Sequence, residues 1–300
     1  MMAEQYQHMN GVPYLFSNDS TAYHTVDICE VNTSLKDSIP RFWLIYIHGG
    51  GWSDPNIQSN SFRDIQSELL KEEKVLTHIA GFAAVNYRLS GDPSEGRNAR
   101  HPDHLEDVQR AIEFLNSRYG FEDRYILFGH SAGATLAFQF AAEPESSSTP
   151  KKPLAILGAS GIYDFRKLLS SIWPVVEYRE EYLHMLESAF GPGGYNYSEN
   201  NEGPDGCTWD LASPAKATTY GSSWSNAQFV MLVHSPHDEL VPLDQSTQFE
   251  TVMECSLPPG AVCHTRFDLA GSHDDVWRKP EEITPLISEL VMLLVEKQYV

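Results

Sequence analysis

Apolar residues fall along this chain in two alternating rhythms. Short apolar or β-prone runs cover residues 26–31, 42–47, 81–87, 124–128, 153–159, 228–234 and 264–269. Unbroken runs of this length, rich in β-branched and aromatic side chains, are the pattern of strands buried on both faces of a parallel sheet. Between them apolar positions recur at helical spacing. A long helix is predicted over 61–79, another over 105–119 with Leu105, Val108, Ile112 and Leu115 on one face, others over 131–142 and 280–296. Strand and helix alternate, which predicts an α/β fold with a mostly parallel central sheet flanked by helices through right-handed crossovers.

Two stretches break the rhythm. Residues 143–152 are polar, with three adjacent serines and a proline, and read as an exposed loop. Residues 161–222 are longer. They open on Ile162-Tyr-Asp164, carry helical patterns near 165–172 and 179–190, and become rich in Gly, Asn and aromatic residues through 192–209. Inserted between core strands on the carboxyl side of the sheet, this segment is expected to be a lid within one 1–300 domain. No internal repeat is evident, and 300 residues with 41% hydrophobic content suffice for one large core.

Charge narrows the partners. With 41 acids against 21 bases the formal net charge is −20, and the bases are scattered, so the clustered Lys and Arg that hold phosphates are missing. No apolar stretch reaches the length of a membrane span, and Met1 to Asn10 has neither the basic start nor the apolar core of a signal peptide. The expected setting is cytoplasmic, with a small-molecule substrate, no nucleic acid, no membrane, and a homodimer left open. Cys29, Cys207, Cys255 and Cys263 are too irregularly spaced for a disulfide framework or a zinc site, so thiols are expected.

The chemistry concentrates where a strand meets a glycine motif. Gly129-His-Ser-Ala-Gly133 follows the β-prone run Tyr-Ile-Leu-Phe128 and leads at once into an Ala-rich helical pattern. A serine hydroxyl becomes a useful nucleophile when it stands on a tight strand-to-helix turn, within reach of a base and at a helix N-terminus. Ser131 is that candidate, and Gly129 and Gly133 let helix and strand pack closely around it. Upstream, His48-Gly-Gly-Gly-Trp52 follows the run 42–47. Acyl transfer builds negative charge on the carbonyl oxygen, which backbone N–H donors in an unobstructed loop can hold. Gly49 and Gly50 supply such a loop, and the N–H of Ala132 supplies the donor after the nucleophile.

In this architecture the acid and then the histidine follow the serine. Ser-Pro-His-Asp-Glu-Leu-Val-Pro242 comes just beyond the run 228–234, making Asp238 the first choice of acid, with Glu239 and then Asp244 as alternatives. The run 264–269 ends in Ala-Gly-Ser-His-Asp-Asp275, placing His273, the expected base, on a loop before the last helix. Among the other histidines, His130 is expected to pack under the turn and His237 to be solvated. His101 and His104 stand three apart beside Pro102. Without a second ligand pair they read as a helix start rather than a metal site, and no metal is expected.

The ordered set His48-Gly-Gly-Gly-Trp52, Gly129-His-Ser-Ala-Gly133, Asp238-Glu-Leu-Val-Pro242 and His273 resembles the α/β-hydrolase fold, most of all the kynurenine formamidases (arylformamidases), from about Phe42 to the last helix. The resemblance implies hydrolysis of N-formyl-L-kynurenine to L-kynurenine and formate in tryptophan catabolism, without a cofactor. It matches Ser131 to the nucleophile, Asp238 to the acid, His273 to the base, and Gly49, Gly50 and Ala132 to the oxyanion donors. Trp52, Tyr163, Trp173 and Trp209 are candidate walls for an aromatic substrate, and Asp164 is a candidate partner for its amine or a cap for the following helix. The competing readings are a carboxylesterase of the hormone-sensitive-lipase-like group acting on short acyl esters, and a ligand-binding protein on the same scaffold that has lost catalysis.

Overall fold

The apolar runs are the inner strands of one sheet. The structure, a computed structural model, describes residues 6–16, 20–32, 39–145, 149–172, 176–193 and 208–298. Its strands are β1 (Tyr6–Pro13), β2 (Thr25–Val31), β3 (Phe42–Ile47), β4 (Ile79–Val85), β5 (Tyr125–His130), β6 (Ala155–Ala159), β7 (Phe229–Val233) and β8 (Val262–Arg266). They form an eight-stranded sheet in the order β1-β2-β4-β3-β5-β6-β7-β8. β2 runs antiparallel to β1 and β4, and the pairings from β4 across to β8 are parallel. Every residue of β3, β5, β6 and β7 is buried, as unbroken apolar runs demand.

Alternation along β3 divides the core in two. Trp43, Ile45 and Ile47 face one layer, while Phe42, Leu44 and Tyr46 face the other. The first layer contains α3 (Asp103–Tyr119) and α4 (Ala132–Ala142), and the second is closed by α1 (Arg63–Leu69), α2 (Glu73–Leu76) and the final helix. Leu105, Val108, Ile112 and Leu115 of α3 are all buried, as their spacing predicts. Burying side chains of this size contributes about 1.5–3 kcal/mol each, which is why the stripe, rather than helix propensity, fixes where α3 lies.

The long helix expected over 61–79 is not continuous. A 3₁₀ turn at Ser59–Phe62 leads into α1, and α2 follows after a break. The break lies at Leu70-Lys71-Glu72, where a charged run with nothing apolar to bury begins; the N–H groups of Lys71 and Glu72 turn back three residues to Glu68 and Leu69, and Glu73 and Lys74 already belong to α2. β4 accordingly begins at Ile79, two residues earlier than its expected start at 81, and the last strand spans Val262–Arg266 rather than 264–269. β1 is an element the pattern did not announce, because as an edge strand it has no fully buried residue.

Between β6 and β7 the chain builds α5 (Phe165–Ile172), α6 (Val176–Phe190), α7 (Thr208–Ala212) and α8 (Tyr220–Ser223). α9 (Asp244–Ser256) joins β7 to β8, and α10 (Asp275–Arg278) and α11 (Pro280–Gln298) complete the chain. β3 lies between β4 and β5, so the chain leaves it toward one side of the sheet and later returns on the other. In open α/β sheets the crevice at the carboxyl ends of strands flanking such a reversal is where ligands bind. The glycine loop after β3 and the serine turn after β5 both stand there. No helix among the described residues is long and apolar enough to cross a membrane.

Candidate active site

Ser131 occupies the turn between β5 and α4 with φ 53° and ψ −121°. A positive φ is costly for a residue with a side chain, of order 1–3 kcal/mol, and persists only where the surroundings enforce it. Here β6 holds the Ser131 N–H through Ala159 O at 2.9 Å, and the Ser131 carbonyl starts α4 by accepting from Ala134 and Thr135 at 3.0 and 3.2 Å. The flanking glycines are required by space. A Cβ on Gly129 would meet the backbone of Gly133 and Ala134, and one on Gly133 would meet the carbonyls of Ile47 and His48.

The loop Gly49-Gly50-Gly51 lies against this turn. A Cβ on Gly49 would stand 3.1 Å from Ser131 Cβ and 2.9 Å from His130 Nδ1. The Tyr87 hydroxyl donates to both His48 O and Gly49 O, at 3.0 and 3.1 Å. Tyr87 also stacks on the His48 ring at 4.3 Å. With those carbonyls held, no acceptor among the described residues takes the N–H of Gly49, Gly50 or Ala132. Unpaired donors at a helix N-terminus and in a glycine loop beside a serine can stabilise an oxyanion.

The loop after β7 meets the loop after β8. His273 Nδ1 lies 2.8 Å from Asp238 Oδ2. The neighbouring carboxylate has a different task, since Glu239 Oε2 accepts the His273 backbone N–H at 3.0 Å. Asp244, the remaining alternative, begins α9 and accepts from Ser171 Oγ at 2.9 Å. Burial alone would raise the Asp238 pKa, but hydrogen bonds from His234 and His273 outweigh it and hold the carboxyl well below its ordinary range. Asp238 is therefore an anion facing the imidazole. His273 is 4% exposed and Ser131 5%, so both are largely shielded from bulk water. His130, next to Ser131, ties the serine turn to the loop after β8: its Nε2 lies 3.1 Å from His273 O, and the two rings are 4.6 Å apart.

Helix α6 touches both loops. Met185 sits over Gly51, where an added Cβ would meet its Sδ at 2.7 Å. One turn earlier the Tyr182 hydroxyl donates to Leu240 O at 2.5 Å. A cavity of about 370 Å³ opens beside Met185, bordered also by Ser53, Arg97, Glu181 and His184. The spacing of α6 marked it as a helix but gave no sign of which loops it would meet.

The aromatic candidates are engaged in packing. Trp52 is fully buried and meets Phe165 and Phe190 edge-on at 5.8 and 4.8 Å. Tyr163 stacks on Phe249 at 4.1 Å, and Trp209 donates to Gly191 O at 2.9 Å. Trp173 lies outside the described residues. Asp164 accepts the Lys167 N–H at 3.0 Å in the first turn of α5, and pairs with Lys216 at 2.9 Å. The first of these bonds is that of a helix cap.

The remaining histidines divide by burial. His237 is exposed. His104 is buried in the first turns of α3, 2.9 Å from Ser90 Oγ, and no group of three or more metal-ligating side chains occurs among the described residues. Desolvation lowers the pKa of His48 to about 4 and those of His104 and His130 to about 3. These rings are neutral in the fold, whereas an unfolded imidazole protonates below about pH 6.5. Their stabilising share is therefore complete above that value and is lost progressively as pH falls from there toward the folded values of about 3 to 4. The loss is about 2 kcal/mol for each ring at pH 5. Urea unfolding followed by tryptophan fluorescence should give a clearly lower midpoint at pH 5 than at pH 7.5; equal midpoints would contradict the neutral assignment.

Comparison with known proteins adds a separate line of support. A family model described as BD-FAE matches residues 30–184. Kynurenine formamidase avaC of Aspergillus versicolor is 78% identical over 285 residues, which cover 94% of this chain and 100% of that protein. Kynurenine formamidase-like hydrolase fscH of Fusarium equiseti is 32% identical over 308 residues, covering 98% of this chain and 97% of its own. Among solved structures, esterase B from Lactobacillus rhamnosis superposes with a TM-score of 0.68 at 18% identity, over 99% of this chain and 88% of that one. A likeness at that identity speaks for the shared α/β-hydrolase fold.

Proposed function

The chain belongs to the kynurenine formamidase family, and on that premise we propose that it is a serine hydrolase that cleaves N-formyl-L-kynurenine to L-kynurenine and formate. The observation that carries the reading at the level of chemistry is the Asp238–His273 pair at 2.8 Å, set beside a strained serine turn and a glycine loop with unpaired N–H donors. In this mechanism Asp238 accepts from Nδ1 of His273, leaving Nε2 free to act as base. Nε2 takes the Ser131 proton as Oγ attacks the formyl carbonyl. The oxyanion is held by the N–H of Ala132 with those of Gly49 and Gly50. His273 then protonates the departing aryl amine nitrogen, and water, deprotonated by the same imidazole, hydrolyses the formyl ester to formate. Ser131, His273 and water account for every proton and electron pair, so the cycle calls for no cofactor.

The Ser131 hydroxyl makes no hydrogen bond among the described residues; its contact with His273 belongs to the substrate complex, where catalytic hydrogen bonds tighten. Residues 161–222 act as the cap in this proposal, with α6 over the oxyanion and acid loops. A cytoplasmic setting is part of it, supported by free thiols at Cys29, Cys255 and Cys263. The working partner is one small molecule, with neither nucleic acid nor membrane.

The test is turnover of N-formyl-L-kynurenine by the purified protein, set against p-nitrophenyl acetate. A kcat/KM for the formamide of about 10⁴ M⁻¹s⁻¹ or more is expected. Hydrolysis of the ester with none of the formamide would overturn the substrate assignment in favour of a short-chain carboxylesterase.

A further inference from the structure

His234 follows β7 and stands four residues before Asp238, with its side chain fully buried. Its Nε2 lies 3.2 Å from Asp238 Oδ2 and 2.9 Å from Val241 O. Its Nδ1 lies 2.7 Å from Ser246 Oγ, in the first turn of α9. Carboxylate and carbonyl oxygens only accept, so Nε2 carries the hydrogen, and in that tautomer Nδ1 accepts from the Ser246 hydroxyl. This tautomer is set by partners on both sides of the ring.

Asp238 therefore holds two imidazoles on one oxygen. Oδ2 accepts from His273 Nδ1 at 2.8 Å and lies 3.2 Å from His234 Nε2, whose hydrogen is shared between Val241 O at 2.9 Å and this carboxylate. Oδ1 accepts the N–H groups of Leu240 and Val241 at 3.0 and 2.8 Å. The two backbone donors fix one end of the carboxylate. At the other end, His234 is the side chain that stands against Oδ2 besides His273, the ring that must change protonation during each turnover.

We propose that His234 is a positioning residue for the hydrolysis: its Nε2–H, braced through Nδ1 by Ser246, holds Asp238 Oδ2 in line with His273 Nδ1 throughout the catalytic cycle. This rests on the reading of Ser131 and His273 as nucleophile and base. The role explains why a buried imidazole is placed where an apolar side chain would fill the same space without a polar group to satisfy. It also has a sign. A carboxylate deprived of the His234 donor is a hungrier acceptor, and it holds a proton on His273 more firmly. The acid limb of the kcat/KM profile then moves to higher pH. The other titratable groups around the pair stay in place: the His130 ring against His273, Glu239 on the His273 N–H, and Tyr182 beside the acid loop.

The experiment compares His234→Leu, His234→Gln and Ser246→Ala with the unaltered protein. The readouts are kcat and KM for N-formyl-L-kynurenine across pH, and the rate at which a small fluorophosphonate labels Ser131. His234→Leu should lower kcat by about ten- to a hundredfold, the scale of a misplaced catalytic group, with KM changed by less than about twofold. The acid limb should shift upward, and labelling should slow in step with kcat. The amide nitrogen of His234→Gln reaches the place of Nε2 and should restore most of the rate and the original pH limb. Ser246→Ala, which loosens the ring but leaves the donor, should cost a few-fold.

A folded His234→Leu with unaltered kcat, pH limb and labelling rate would overturn the proposal. So would a folded His234→Gln that loses as much as the leucine variant. Should His234→Leu not fold, the other two variants decide: wild-type kinetics in Ser246→Ala together with a large loss in folded His234→Gln would sink the positioning role. Failure of the underlying reading looks different, because the unaltered protein would then show no fluorophosphonate adduct on Ser131.

Discussion

Replacing Ser131 by alanine should lower kcat for N-formyl-L-kynurenine by about 10⁴- to 10⁶-fold, the range found when a triad nucleophile is removed. That corresponds to about 5–8 kcal/mol of lost transition-state stabilisation. Stability should scarcely change. The Ser131 hydroxyl has no partner among the described residues, so its removal leaves no buried group unpaired, and alanine meets the same backbone strain at φ 53°. Substrate binding should survive as well, because the cap and the oxyanion loop are untouched. The check is the rate of kynurenine appearance, together with near-ultraviolet circular dichroism of the variant. A residual rate above that of the uncatalysed reaction is expected from the remaining donors and bound geometry.

Asp238→Asn should have the next largest effect, about 10⁴-fold in kcat. The carboxylate accepts at both oxygens: His273 and His234 on one, the N–H groups of Leu240 and Val241 on the other. An amide cannot accept on both ends. Either its NH₂ faces the two backbone donors and the acid loop opens, or it faces the histidines and presents a donor to His273 Nδ1. In the second arrangement the imidazole carries its proton on Nε2 and can no longer take one from Ser131. Glu239→Gln is the matched control. It keeps an oxygen for the His273 backbone N–H, lies on the exposed side, and should stay within about tenfold of the unaltered rate. Steady-state kinetics of the two variants, with thermal melts to confirm folding, separate these outcomes. Equal losses in both would remove the distinction between the carboxylates.

The parts of the fold that were legible in the sequence are those governed by local rules. The unbroken run Phe42–Ile47 could only be a buried strand, and it is buried at every position. The glycines around Ser131 were legible because the turn leaves no room for a Cβ, and the contacts that exclude one are now explicit. The order of nucleophile, acid and base narrowed twelve histidines to His273. Other features depend on contacts between distant segments, which no local pattern encodes. β1 lacks apolar alternation because it is an edge, and the charged pair Lys71-Glu72 interrupts a helix that periodicity alone would extend. Trp52, Tyr163 and Trp209 looked suited to hold an aromatic substrate. Their rings instead pack within the core and the insertion. His234 ends an apolar run where a histidine reads as nothing in particular. The one available signal was its place four residues before the acid, and a sequence does not say which way either side chain points.

Acylation of Ser131 Oγ is tested most directly by the intact mass of the protein after exposure to a fluorophosphonate, with the modified residue located by peptide mapping. Displacement of fluoride by Oγ should add one phosphonyl group to the unaltered protein, at Ser131, with loss of formamidase activity in proportion, and none to Ser131→Ala. Full formamidase activity retained after stoichiometric modification of Ser131, or inactivation with the adduct on another residue, would contradict it.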